Sequence, residues 1–302
     1  MCNDCFQVKV EKVDRKVRLL MDLKQQLLVA RQVLSGTPIP AIPTEVLELQ
    51  ALFASTEFPD FGEVATIIGR NTVLTGELIK MANDPCFVKE NADPIQSVRG
   101  AVDALGLIQL KNLVVGLAFK AGVQDLAFAN LIDHSLDVAK VASELCMSVE
   151  GIRPDTAYLA GLFHNAGAIM LALKYDDYEK YFFNTLTNYY SGVAKEVKRY
   201  QTSHGVFGLL VAKKWNLDSM LSQVILVHHQ KDLSLIRSDD VRTLVALIQL
   251  ANGLVSEVSF GSYMGAEVKS MMESATQELM IEQSVVDEVR MSLISSSLVG
   301  QV

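Results

Sequence analysis

Ala160-Gly161-Leu162-Phe163-His164-Asn165-Ala166-Gly167-Ala168 is an apolar run with one imidazole and one carboxamide at its centre, and the apolar pattern continues to Leu173 before Lys174. Its polar interruption predicts a buried helix of a folded core rather than a membrane span. An amide-like group buried without a partner costs about 1–3 kcal/mol, so His164 and Asn165 must face polar groups from elsewhere in the chain. The other four histidines, His134, His204, His228 and His229, are the natural candidates.

The rest of the sequence bounds what such a core can serve. Its 302 residues are 50% hydrophobic, which predicts one large core or two fused lobes. A formal charge of −8 argues against a broad face for nucleic acid or anionic lipid. Met1-Cys2-Asn3-Asp4-Cys5 lacks the apolar core of a signal peptide, and no later stretch reads as long enough to span a bilayer without charge. The expectation is a cytoplasmic protein with no membrane partner. Cys2 and Cys5 have the spacing of a metal knuckle, but no second such pair exists and Cys86 and Cys146 are isolated. They read as an ordinary terminus, and no structural disulfide is expected.

Val13, Leu20, Leu27 and Leu34 recur every seven residues, predicting an N-terminal helix over 9–35 within a segment 1–36. Such a helix can pair with a second copy as a homodimer or lie along its own domain. Helical patterns follow at 44–55, 61–69, 73–82, 95–104 and 107–119, with Gly106 in the gap between the last two. Asn83-Asp84-Pro85 and Asn91-Ala92-Asp93-Pro94 punctuate them, because Asn and Asp satisfy local backbone groups and proline disfavours helix at the residue before it. A second group is expected at 129–149, 155–173, 176–189, 203–214, 218–229 and 239–255, and a C-terminal helical appendage over 256–302 with helices at 266–279 and 284–296. No stretch has the period-2 alternation of strands, so the fold class is all-α.

Two stretches together resemble the HDOD domain, the HD-related output domain of bacterial signalling proteins. One runs from Ile39-Pro40-Ala41-Ile42-Pro43 through Leu78-Ile79-Lys80-Met81-Ala82-Asn83 to Ala101-Val102-Asp103-Ala104-Leu105-Gly106. The other runs from His134-Ser135-Leu136-Asp137-Val138-Ala139 through Leu162-Phe163-His164-Asn165-Ala166-Gly167, Ser203-His204-Gly205-Val206-Phe207-Gly208 and Trp215-Asn216-Leu217 to His228-His229 and Leu250-Ala251-Asn252. The resemblance implies a two-lobed domain over 37–255, with a helical lobe at 37–125 and an HD-like lobe at 126–255. Asp218 departs from it, standing where the family usually has proline.

The HD superfamily, which the second stretch resembles, builds a metal-dependent phosphohydrolase site from a His, a His-Asp pair and a later Asp, and some relatives add an adjacent histidine pair. His134, His164, His204, His228 and His229 resemble the histidine positions, while Asn165 and Asn252 stand at the two aspartate positions. An amide is neutral and offers one weaker oxygen where a carboxylate offers charge and can bridge two cations. Two divalent ions among five neutral imidazoles would leave about four charges uncompensated, at several kcal/mol per ion. The set leaves room for one divalent transition-metal ion and disfavours a two-metal hydrolase. Each histidine also has a plain reading: His164 and Asn165 as a satisfied polar cluster, His134 as a helix-face residue, His204 in a first turn capped by Ser203, and His228 and His229 at a helix C-terminus. Trp215 reads as a core anchor.

Neither a Gly-rich phosphate loop nor a GxSxG elbow is present, and adjacent Asp176 and Asp177 read as a solvated turn. The sequence therefore favours a non-catalytic signalling or scaffold protein with a degenerate HD site and a signalling-protein partner. Its alternatives are a metal-dependent phosphohydrolase acting on a nucleotide or phosphoester, and a sensor that binds a nucleotide or phosphate ligand without turning it over.

Overall fold

A computed structural model describes residues 23–36, 39–87, 94–123, 128–260 and 265–299, and no strand occurs among them. Helix α1 covers 23–34, turning Ala30 fully inward and packing Leu23, Leu27, Val33 and Leu34 against the core. The rest of the seven-residue stripe, like the Cys2/Cys5 pair and the Asn91-Ala92-Asp93 turn, lies outside the described residues.

The first lobe holds α2 (Thr44–Ser55), α3 (Phe61–Gly69), α4 (Thr72–Met81) and α5 (Val98–Val123). Its helix starts follow from side-chain caps, with Asp60 accepting from the Glu63 amide and Asn71 from the Leu74 amide. Asn83 pairs both ways with the Ile95 main chain, each bond 2.9 Å, and so closes the connection from α4 to α5. Gly106 is non-helical (φ 71°, ψ 162°) and divides α5 at the predicted gap.

The second lobe contains α6 (Ala129–Cys146), α7 (Pro154–Phe163), α8 (Ala166–Lys174), α9 (Tyr178–Leu186), α10 (Tyr189–Tyr200), α11 (His204–Lys214), α12 (Ser219–Val227) and α13 (Asp239–Phe260). Asp218, the departure from the family pattern, accepts from the Leu221 amide at 2.8 Å and caps α12, so an Asx cap starts this helix. Trp215 is fully buried edge-on to Phe119 of α5 and against Phe163 of α7, joining the lobes as the expected anchor. Helices α14 (Ala266–Leu279) and α15 (Gln283–Val299) bury Val268, Met271, Ala275, Val286 and Val289, and Glu267 accepts from the Tyr190 and Ser191 amides to cap α10.

Two expectations need correction. Residues 155–173 do not form one helix: the helical pattern stops at Phe163 and restarts at Ala166, with Asn165 at φ −104°, ψ 12°. Three segments, Val98–Val123, Pro154–Lys174 and Asp239–Ser259, are long and apolar enough by length and composition to cross a membrane, contrary to the expectation that none is. Their apolarity has another cause in this fold, since the windows are 56%, 94% and 78% buried within the protein.

Candidate functional site

The break between α7 and α8 opens the site. His164 ends α7, and its ring Nδ1–H donates to the Gly161 carbonyl in the last turn, satisfying one of the carbonyls a helix end leaves free. His228 ends α12 in the same way, with Nδ1–H donating to the Ile225 carbonyl at 2.8 Å. In both residues the anchored Nδ1 fixes the tautomer and leaves Nε2 as the acceptor facing the interior. His204 opens α11 behind its Ser203 cap, His134 lies within α6, and Asn252 lies within α13.

Close backbone approach brings these ends together. A Cβ on Gly161 would sit 2.5 Å from the Ala139 Cα, so only glycine lets α7 lie this near to α6 and His134. A Cβ on Gly167 would strike the His204 carbonyl oxygen and the Gly208 amide, so glycine is also what seats α8 against α11.

All seven predicted positions converge, in two different states. In the first half, Asn165 Nδ2–H donates to His164 Nε2 at 2.7 Å, and His134 Nε2 pairs with Asn252 Oδ1 at 2.8 Å. The His134 and His164 rings are 6.2 Å apart, and each of these Nε2 atoms has an amide partner. In the second half, His204 Nε2 lies 3.2 Å from His228 Nε2 and 2.8 Å from His229 Nε2, and the ligand atoms of all three lie within 4.8 Å of one another. His204 Nδ1–H donates to Glu196 Oε2 at 2.8 Å, which leaves Nε2 of a neutral His204 as a lone pair, like that of His228. His229, whose Nδ1 is not anchored, can donate Nε2–H to His204 Nε2 at 2.8 Å, while the lone pairs of His204 and His228 face each other at 3.2 Å across a gap that suits a cation.

Burial keeps the rings of His134, His164, His228 and His229 neutral. Desolvation lowers the pKa of His134 to about 4 and of His164 to about 3, and pushes His228 and His229 well below the ordinary imidazole value. The neighbouring imidazoles add to the lowering at the last three. His229 Nδ1 is buried without a hydrogen-bond partner, although the Tyr189 main chain lies close enough to favour its charged form slightly. The Tyr189 ring lies against His229 with centroids 4.0 Å apart.

The second half fits a transition-metal ion. Three imidazole nitrogens suit Zn, Ni, Cu or Fe, and two of the three rings are held through Nδ1, one by a carboxylate and one by a backbone carbonyl.

Sequence reasoning missed Glu196 and the helix that carries it, α10. Glu196 is buried, accepting from the His204 amide at 3.1 Å and from the Tyr178 hydroxyl. Burial and the Glu196 charge hold the Tyr178 phenol pKa well above its usual value, so Tyr178 is the donor. The missed signal is a stripe: Tyr189, Gly192, Glu196 and Tyr200 are the buried positions of α10, which places a carboxylate on an otherwise inward face.

A family model described as HDOD domain matches residues 39–231. No curated protein matches the chain. Among solved structures, an HDOD domain protein of unknown function from Geobacter sulfurreducens is similar at 23% identity and TM-score 0.61, over 89% of this chain and 97% of that one. A candidate metal-dependent phosphohydrolase from Shewanella amazonensis is similar at 20% identity and TM-score 0.58, over 90% of this chain and 99% of that one. A candidate signal transduction protein from Marinobacter aquaeolei is similar at 18% identity and TM-score 0.61, over 89% of this chain and 64% of that longer one. At these identities the likeness shows the all-α fold.

Proposed function

The chain belongs to the HDOD domain family, and from that premise we propose that it is a cytoplasmic regulatory protein of signal transduction whose histidine cluster seats one cation and hydrolyses nothing. The observation that carries this reading is the pairing of Asn165 with His164 and of Asn252 with His134. Two-cation phosphoryl chemistry uses carboxylates that bridge the ions and offset their charge. Here neutral amides take both places, and the carboxylate bonded to the cluster, Glu196, is committed to His204 Nδ1.

A cation held by His204, His228 and His229 would supply positive charge between the facing lone pairs of His204 and His228, tying the start of α11 to the end of α12. Within this reading the site is a structural joint, and the output is made through a signalling-protein partner. The three convergent imidazoles also support the second reading, a metal-dependent phosphohydrolase of the kind for which the Shewanella protein is named.

Elemental analysis of purified protein, joined to a phosphatase and phosphodiesterase screen with added Mn, Fe or Mg, separates the two. The expected result is no more than one transition-metal ion per chain and no turnover. Turnover that disappears in His204→Ala establishes the hydrolase instead.

A further inference from the structure

We propose that Glu196 is the positioning residue that makes the His204–His228–His229 cluster a cation seat, by fixing His204 with its proton on Nδ1 and its lone pair on Nε2. The inference rests on the cation reading given above, and assigns a role to a residue that is no part of the histidine set. Among the described residues Glu196 is the one carboxylate hydrogen-bonded to any of the five histidines. It is 2% exposed, as is His204, so water does not compete for either partner.

Geometry makes the arrangement directional. Glu196 Oε1 accepts from the His204 backbone N–H at 3.1 Å and from the Tyr178 hydroxyl, while Oε2 faces His204 Nδ1 at 2.8 Å. A backbone N–H can only donate, so Oε1 must be an oxygen, and a carboxylate then necessarily presents a second acceptor to Nδ1. The ring answers with Nδ1–H, and Nε2 points its lone pair at His228 and His229. An outer carboxylate that orients a ligating imidazole also raises its basicity, and its negative charge offsets part of a single bound cation.

The same geometry turns one atom into a switch. In Glu196→Gln the amide oxygen stays with the backbone N–H, and the NH2 group falls where Oε2 was. Facing a donor, His204 must accept at Nδ1 and carry its proton on Nε2, aimed into the cluster, where a protonated nitrogen cannot ligate a metal. That proton can be donated to His228 Nε2, 3.2 Å away, so the metal-free variant keeps a bonded interior and its fold.

Glu196 also caps the first turn of α11, and a purely structural role would leave the ring's tautomer alone. The test is therefore nitrogen-15 NMR of the imidazoles in the metal-free full chain, followed by calorimetric titration with Zn(II), for wild type and Glu196→Gln. The expected results are an Nδ1–H tautomer at His204 in wild type, an Nε2–H tautomer in the variant, and Zn(II) affinity lower by about 10- to 100-fold in the variant. An Nε2–H tautomer in wild type overturns the inference without any variant. Equal Zn(II) affinity in the two proteins overturns it as well, and leaves the cation seat standing. Wild type that shows the Nδ1–H tautomer but binds no Zn(II) overturns the cation reading and this role together.

Discussion

His134 and His164 on one side of the cluster, and His204 and His228 on the other, are all nearly inaccessible, at 6%, 1%, 2% and 1% exposed. Burial therefore does not distinguish a satisfied core histidine from a ligand. What differs is the partner of Nε2. The first pair meets amides, from the next residue in the chain and from α13, and is closed at both Nε2 atoms, with Asn252 Nδ2 left buried without a partner. The second pair meets other imidazoles: His204 and His228 are each anchored through Nδ1, and their Nε2 atoms face each other at 3.2 Å with His229 Nε2 beside them. The plain readings of His204, in a first turn capped by Ser203, and of His228, at a helix C-terminus, describe their places too, so the two halves differ only in what Nε2 meets.

The contrast depends on where α8 and α11 touch, and the largest predicted effect lies there. Gly167→Ala would drive a methyl group into the His204 carbonyl and the Gly208 amide, both backbone atoms that cannot rotate away. We expect a loss of at least about 3 kcal/mol, read as a lowered midpoint in chemical denaturation. A change below about 0.5 kcal/mol would show that α11 can shift freely relative to α8, and the two halves would then not be held in fixed register.

Helix periodicity and turn residues made most of the fold legible, because Gly106, Asn83 and Ser203 act through local backbone chemistry that a sequence carries openly. The convergence of the seven site positions was legible through the order of the motifs. Two things were not. The run through His164 and Asn165 is apolar enough for one helix, and at the break a ring nitrogen bonds the carbonyl three residues back, a partner that apolarity does not reveal. Helix α10 follows α9 almost directly, and Lys195-Glu196-Val197-Lys198-Arg199 reads as a solvated face; that Glu196 points inward depends on Tyr178 and His204, which come from α9 and α11. Partner choice across helices, rather than helix formation, is the information local patterns lack.

The closed half should respond to pH. His134 has a folded pKa of about 4 against an ordinary 6.5, because burial disfavours its charged form. The unfolded chain takes up a proton near 6.5 and the folded protein does not until about 4, so this stability is fully present above pH 6.5 and is lost as pH falls towards 4. His134→Leu leaves Asn252 without its partner and should cost about 1–3 kcal/mol at pH 7.5. Leucine cannot titrate, so the gap between variant and wild type should narrow across that window. Parallel denaturation curves from pH 7.5 to 4.5 would mean that His134 is not the neutral, amide-paired ring of the closed half.

The smallest effect expected comes from opening that half by chemistry alone. In Asn165→Asp with Asn252→Asp, each amide beside a histidine becomes a carboxylate of almost the same shape, so packing around α8 and α13 is kept. The two new charges lie beside His164 Nε2 and His134 Nε2, where the amides now pair. Without metal they raise the histidine pKa values, because a neighbouring anion favours the imidazolium, and the half becomes a pair of ion pairs in a dry interior. With a divalent ion the carboxylates serve instead as oxygen ligands, and Mn(II), which prefers oxygen donors, should gain most. Because the protein must surrender those protons to bind the ion, the net gain is modest: about tenfold in calorimetric Mn(II) affinity at pH 7.5, or about 1.4 kcal/mol. Zn(II) held by the open half through nitrogen should change less. A double variant that gains Zn(II) and Mn(II) affinity equally would show that the two halves are one site, whereas unchanged binding of both would show that the first half stays closed even with carboxylates in place.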